Sequence, residues 1–439
     1  MRRTAASFLA VAGIAAIAGL ATVSFSSCSG RSEVSALIWT DAPELAIAAE
    51  LFDARGSSST VRLAWKRDPA EALLAAKGKN GTAALPALVI GRSLRSSALR
   101  DSLSSLDYLL KRRPNRDAFY PELLEGGVVA NKRVLLPLSF NLPAIAFLRD
   151  SPAAGDGFTI SLEDIAVPSS AYDRSAGGAN ARMGFSPRWN ARFLVTALDS
   201  SGARFREAKG GASRGPDLAW DAPGLATALS ELASWSARAN GPAALEDDFQ
   251  FRYLFSPPYR WLKEGRTLYA YMDSSELFLV SEEKRTGIDF RWYANGGRIR
   301  VSDDAVYAGL VRGASGRGAA ESFLRWIFTP EAQRAILERS RSSRSMDYSF
   351  GLAGGFSSIR SVNEEIFPAF YPALVGHAPP AGKLVAPALL PGDWPALRAA
   401  VIGPWALEAT ARSAGSLGDN PSDELSARIA DYRERESLQ

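Results

Sequence analysis

Val34-Ser35-Ala36-Leu37-Ile38-Trp39-Thr40 is a run apolar on both of its alternating faces. Such a run reads as a strand buried on both sides. Working outward, Pro43 suits a first helical turn because its missing N–H is not needed there. Leu45, Ala48, Ala49 and Phe52 then recur at helical spacing, and Gly56 with three serines ends the segment. Val61, Leu63 and Trp65 alternate as a second strand. Asp68-Pro69 opens a second helix through Leu73, Leu74 and Ala76. Leu85 to Ile90 is a third strand, closed by Gly91. Strand, helix, strand, helix, strand implies parallel strands with helices on the faces. Ligands bind such sheets at the carboxyl ends of the strands. Those ends are Trp39-Thr40-Asp41, Trp65-Lys66 and Gly91-Arg92.

Upstream, Arg2 and Arg3 precede an uncharged run from Thr4 to Ser27, rich in Ala, Leu, Val, Ile and Gly. A positive start, an apolar stretch and small residues before a cut site read as a secretory signal peptide over 1–27. Cys28 follows at once and is the single cysteine of the 439-residue chain. Phe25-Ser26-Ser27-Cys28 resembles a bacterial lipobox, in which the thiol receives a diacylglycerol. It departs from the usual pattern in having Phe25 where Leu is usual. Ordinary cleavage near Ser27, or an uncleaved anchor, are the alternatives. The expectation is an exported chain held in the bacterial cell envelope by a lipid on Cys28, facing the periplasm or exterior, with 28–33 as linker.

The 412 residues after Ser27 hold no second cysteine, so no internal disulfide is available. A chain of that length divides into two lobes or domains. The net charge of +4 is small for the size and argues against a nucleic-acid partner. Lys111-Arg112-Arg113 and Arg339 to Arg344 read as solvated surface. Further strands are expected at Arg133 to Pro137, Ala144 to Leu148 and Thr267 to Asp273. Helices are expected after Asp221, over Ala319 to Phe328, after Thr329-Pro330-Glu331, and over Trp394 to Ser413 and Ser422 to Leu438.

Taken in order, these pieces resemble the solute-binding proteins of ABC importers, in the carbohydrate-binding group that includes maltose-binding protein. Ala36-Leu37-Ile38-Trp39-Thr40 with the helix Glu44 to Phe52 resembles the family's first strand and helix. Pro86-Ala87-Leu88-Val89-Ile90-Gly91 resembles its proline–acidic–apolar strand, with Ala87 in place of Asp. Asn131-Lys132-Arg133-Val134-Leu135-Leu136-Pro137 resembles its approach to the hinge, with Asn131 and Val134 in place of Gly and Tyr. Glu264 to Met272 resembles a glycine–lysine–alanine–methionine strand, and Ala319 to Leu337 a paired helix. Coverage is nearly the whole chain after the leader. Each motif is weak by itself, and their order and spacing carry the resemblance.

The resemblance implies an α/β, two-lobe, periplasmic-binding-protein-like clamshell with crossing hinge strands. Lobe one would be 34–140 plus 302–338, and lobe two 141–301 plus 339–439. Ser139 to Leu142 and the stretch near Val301 would cross between them. It implies a small-molecule ligand, a sugar, delivered to ABC permease subunits, with no cofactor and no metal. A sugar site wants aromatic platforms and planar hydrogen-bonding groups, and the chain has 10 Trp. The expected ligand contacts are Trp39 and Asp41 at the first strand end, Trp189 and Asn190, Ser274, Ser275 and Glu276, and Trp394. Trp39 has a plainer reading as lobe core, and Ser274, Ser275 and Glu276 as a plain turn. Trp235 and Trp326 lie on apolar helix stripes and read as core.

Catalytic patterns are weak. His377, the single histidine, lies in a loop-like Gly376-His377-Ala378-Pro379. There is no paired-His spacing for zinc, no P-loop and no nucleophile elbow. Asp303-Asp304 are adjacent and in a strand would point apart. Two rival readings remain at this stage: a surface lipoprotein of the same fold acting as adhesin or sensor, and an exported glycan hydrolase.

Overall fold

The computed structural model describes residues 34–78, 84–111, 115–151, 157–172, 181–208, 217–412 and 420–437. The leader and Cys28 lie outside the described residues. Two sheets carry the fold. Their strands are β1 (Val34–Thr40), β2 (Ser59–Trp65), β3 (Leu88–Gly91), β4 (Leu136–Phe140), β5 (Pro143–Leu148), β6 (Thr159–Ile160), β7 (Tyr269–Asp273), β8 (Ile288–Tyr293), β9 (Val306–Leu310) and β10 (Phe356–Ser357).

The first sheet has the order β10-β4-β9-β3-β1-β2. Its β1, β2 and β3 are parallel, with Ile38 level with Leu63 and Leu88. The intervening helices, Leu45–Asp53 and Pro69–Gly78, make the crossovers that parallel strands require. Ala36 and Ile38 are fully buried, as the two-sided apolar run demands. Phe52 seals one face edge-on to Phe323 of helix Arg317–Ile327, with ring centroids 5.3 Å apart.

The second sheet has the order β7-β5-β8-β6. Along β5, alternate side chains serve two different cores. Ala144 and Ala146 face a cluster holding Phe290, Trp292 and Phe356. Ile145 and Phe147 face Tyr269, Tyr271 and Tyr293 on the other side. That side is covered by helices Ala191–Leu198, Ala222–Asn240 and Gly403–Ala411. Asp221 caps the longest of these, its carboxylate accepting the Gly224 N–H at 2.8 Å.

Only Asn141 and Leu142 separate β4 in the first sheet from β5 in the second. The chain returns through Val301 to Ala305. The Ser302 N–H donates to the Asn141 carbonyl at 2.9 Å, tying the two crossings together. Two extended strands joined this closely form a hinge about which packed lobes can rotate.

The structure divides the segment 339–439, all of which the sequence reading gave to lobe two. β10 pairs antiparallel with β4 in the first sheet. Buried Phe356 rests against Phe140, centroids 5.8 Å apart, and the Ala353 carbonyl accepts from Ser139. A two-residue strand has no periodicity to read, so tertiary pairing alone assigns it. The expected helix Trp394 to Ser413 is also broken. It runs as Trp394–Leu397, a wide π-type turn over Arg398–Ile402, and Gly403–Ala411. Pro404 has no N–H to return to Ala400, so the helix widens ahead of it.

Candidate ligand cleft between the lobes

The ends of parallel β1 and β3 lie side by side, with Thr40 level with Ile90. Asp41 and Arg92 therefore meet just beyond the sheet. The Asp41 carboxylate accepts the Arg92 N–H at 3.1 Å and lies 3.5 Å from its guanidinium. Burial pushes the Asp41 carboxyl up, and Arg92 offsets part of that rise. Trp39 is buried beside them, with the Lys66 ammonium 4.7 Å above its ring.

Arg192 enters from the first turn of helix Ala191–Leu198 on the second lobe. Its guanidinium is 2.9 Å from Asp304 and 3.8 Å from both Asp303 and Asp273. Asp273 ends β7 and is fully buried, and the Ser302 hydroxyl donates to it at 2.6 Å. Burial pushes Asp273 up to about 6, with Arg192 opposing and Asp304 adding to the rise. Burial also acts upward on Asp304, but the charge and hydrogen bond of Arg192, then Arg92 and Arg398, outweigh it and hold that carboxyl low. The distances agree with this division: Arg192 is closer to Asp304 than to Asp273. Asp303 takes hydrogen bonds from the Trp394 indole N–H and from Arg398.

The two lobes also touch directly. Glu207 accepts from the Ser96 hydroxyl at 2.7 Å and from the Ser97 N–H at 3.0 and 3.1 Å. Arg95 donates to the Ala388 carbonyl at 3.1 Å, and the Leu390 N–H donates to the Arg95 carbonyl at 3.3 Å. The space left between Arg92, Arg95, Asp303, Leu390 and Trp394 is about 40 Å³. Ordinary ligand pockets begin at roughly 300 Å³. A small-molecule ligand would fit this space only with the lobes parted.

Of the expected ligand residues, Trp394 lines this space and Asp41 meets Arg92 at its edge, while Trp39 packs into the core of the first lobe. The others go to framework positions. Trp189 stacks on Phe249 at 4.5 Å, edge-on to Trp261, and its indole N–H donates to the Glu246 carbonyl. Asn190 caps helix Ala191–Leu198 by accepting the Phe193 N–H at 3.1 Å. Ser274 is buried at the hinge, donating to the Asn141 side chain at 2.8 Å and accepting the Leu142 N–H. Ser275 and Glu276 complete a capping box with Asp273 at the start of helix Ser274–Leu279. Asn190 and Glu276 spend their polar atoms on backbone at a helix start, as capping residues do, whereas Trp189 and Ser274 spend theirs on segments remote in the chain and Ser275 on the Asp273 carboxylate.

Sequence reasoning did not single out Arg192, Asp273, Arg95 or Arg398. It also read Asp303 and Asp304 as diverging, whereas both approach one guanidinium. They lie in a turn between β8 and β9, so strand alternation does not apply. The available signal was the position of Asp303-Asp304 at the return crossing. His377 lies 3.2 Å from the Arg291 guanidinium, outside these contacts.

No protein-family model matches the chain, and no curated protein does. Solved structures do. The sugar-binding protein MalE of the phytopathogen Xanthomonas citri aligns at TM-score 0.66 and 12% identity, covering 92% of this chain and 100% of its own. The cyclic α-maltosyl-1,6-maltose binding protein of Arthrobacter globiformis aligns at TM-score 0.58 and 15% identity, covering 90% and 97%. The maltose-binding periplasmic protein MalE of Listeria monocytogenes, solved with maltose, aligns at TM-score 0.60 and 11% identity, covering 92% and 99%. At these identities the likeness concerns the fold: the chain has the two-lobed α/β architecture of these proteins over nearly its whole described length.

Proposed function

We propose that this protein is an exported receptor that binds a carbohydrate between its lobes and delivers it to an ABC importer, without performing chemistry on it. The observation that carries the reading is the cleft itself. It lies at strand ends beside a two-stranded crossing, and it gathers planar Arg and Asp groups with Trp394. Sugar hydroxyls are recognised by such planar donors and acceptors, and C–H faces by indoles. The structurally similar proteins, which include a sugar-binding MalE, a cyclic α-maltosyl-1,6-maltose binding protein and a maltose-bound MalE, support the same ligand class.

Ligand selects the closed form only if it contacts both lobes. Arg92 and Asp41 on one side, Arg192 and Trp394 on the other, offer that bridge. A sugar that binds should raise the melting temperature and change Trp fluorescence. At a ligand concentration of 100 Kd the gain is about 2.7 kcal/mol. Arg192→Ala and Asp303→Asn should each remove the ligand-induced shift while the chain still unfolds cooperatively. A panel of mono- and oligosaccharides without any response, alongside a clear response to another solute class, would sink the carbohydrate reading.

The lipid tether belongs to this proposal as well. A receptor held at the membrane meets its permease at raised effective concentration. Membranes washed at high salt, which removes weak charge-assisted contacts, should retain the wild-type protein and release Cys28→Ser. Retention of the serine variant through the wash would overturn the tether.

A further inference from the structure

Away from the cleft, the run Phe251-Arg252-Tyr253-Leu254-Phe255-Ser256-Pro257-Pro258-Tyr259-Arg260-Trp261-Leu262-Lys263 has five aromatic residues, three basic residues and no acidic one. Its first half ends helix Ala243–Arg252 and turns outward; its second half is helix Pro258–Lys263. Phe251, Leu254 and Phe255, spaced i, i+3, i+4, are 78%, 57% and 98% exposed. Water surrounds the Phe255 ring almost entirely. Below them the surface is firm. Trp189, Phe249 and Trp261 form a buried aromatic cluster, so the tip stands on a packed base. Arg252, Arg260 and Lys263 are exposed around it. Arg252 is partly neutralised by Asp248 at 2.8 Å.

We propose that this tip is a membrane-contact site, which inserts Phe251, Leu254 and Phe255 into an anionic lipid surface while Arg260 and Lys263 meet the headgroups. Exposed apolar residues gathered in one place mark an interaction surface. The shape selects among partners. The Phe255 ring is 98% exposed and borders an open, shallow groove with Leu254 and Trp261, so a fluid partner that moulds itself to both ring and groove covers this surface without a preformed match. The charge selects again. Aromatic and apolar side chains flanked by Lys and Arg suit the interface of a negatively charged bilayer. The contact is weak and reversible. It orients the second lobe against the membrane and does not replace a lipid anchor. It rests on the exported, membrane-facing reading for its setting, but not on lipidation of Cys28.

The test uses the chain from Ser29 onward, so that neither the apolar leader nor an acyl group on Cys28 contributes. The chain is floated with vesicles of phosphatidylcholine and phosphatidylglycerol at 7:3, and with vesicles of phosphatidylcholine alone. It should float with the first and far less with the second. Phe251→Ser with Phe255→Ser should reduce binding about tenfold or more, since each large apolar group contributes that order of partitioning. Arg260→Gln with Lys263→Gln should reduce it about fivefold per charge on the anionic vesicles only. Both pairs lie at the exposed surface, and an unchanged melting temperature confirms their fold. Failure of this leaderless chain to float overturns the proposal, as does equal flotation of the double Phe variant. Binding confined to native membrane vesicles and abolished by treating those vesicles with protease overturns it in favour of a protein partner. A concentration-dependent dimer lost in the double Phe variant overturns it in favour of a second copy.

Discussion

Asp273, fully buried, and Asp304, partly buried, share Arg192, yet their carboxyls are shifted in opposite directions. Two close acids competing for one cation split this way because the nearer one takes most of its field. The consequence for stability follows from linkage. Asp273 has its carboxyl raised to about 6 in the fold, against 3.8 unfolded. Its contribution is therefore fully present below pH 3.8 and is lost as pH rises toward 6. Asp304 is held below 3.8, so its contribution is present above that value and is lost at more acid pH. The two windows do not overlap. Melting temperatures of wild type and Asp273→Asn, compared from pH 4 to 6.5, should show wild type losing ground as pH rises. A difference that stays constant across that range would refute the assignment. At this scale the sequence offered the residue types but not their company. Asp273, Arg192 and Asp304 are far apart in the chain, and only the hinge brings them within 4 Å.

Elements were largely legible where periodicity was strong. The first strand is found at the residues expected, and the following helix and strands differ by a few residues at their ends. Capping chemistry was legible too: Thr329 caps Pro330–Ser342 through the Ala332 N–H. Short elements were not. The strand Arg206–Glu207 pairs with Leu218–Ala219 and has no pattern to find, yet it presents Glu207 to the other lobe. Glu207 reaches the start of the short helix Ser97–Leu99, where Ser96 already caps the Ala98 N–H. Carboxylate-to-hydroxyl and carboxylate-to-amide bonds of this kind contribute about 1.5–3 kcal/mol when desolvated, and less at a partly exposed rim. Glu207→Ala should therefore shift the lobes toward the open form and raise the radius of gyration measured by solution X-ray scattering. Ligand affinity should fall with the closed fraction. An unchanged scattering curve would show that Arg95 and the segment 386–390 hold the lobes without it.

For the molecule as a whole, the run of apolar strands and spaced helices determined the class: an α/β chain with parallel strands, divided into two lobes. It also placed the carboxyl ends of β1 and β3 at one edge of the sheet, where a ligand is expected, because those ends follow from strand direction alone. That much is local, since a period of two or 3.6 residues is written in consecutive side chains. The sequence could not decide which polar residues line the cleft. Trp189, Asn190, Ser274, Ser275 and Glu276 carry suitable chemistry, but packing and capping consume it. Nor could it decide that Phe356 completes the first sheet, or that Phe255 stands in solvent while Trp261 six residues later is buried. Burial and charge pairing depend on distances between segments remote in the chain. Those distances exist only after two sheets have packed and the hinge has set one lobe against the other.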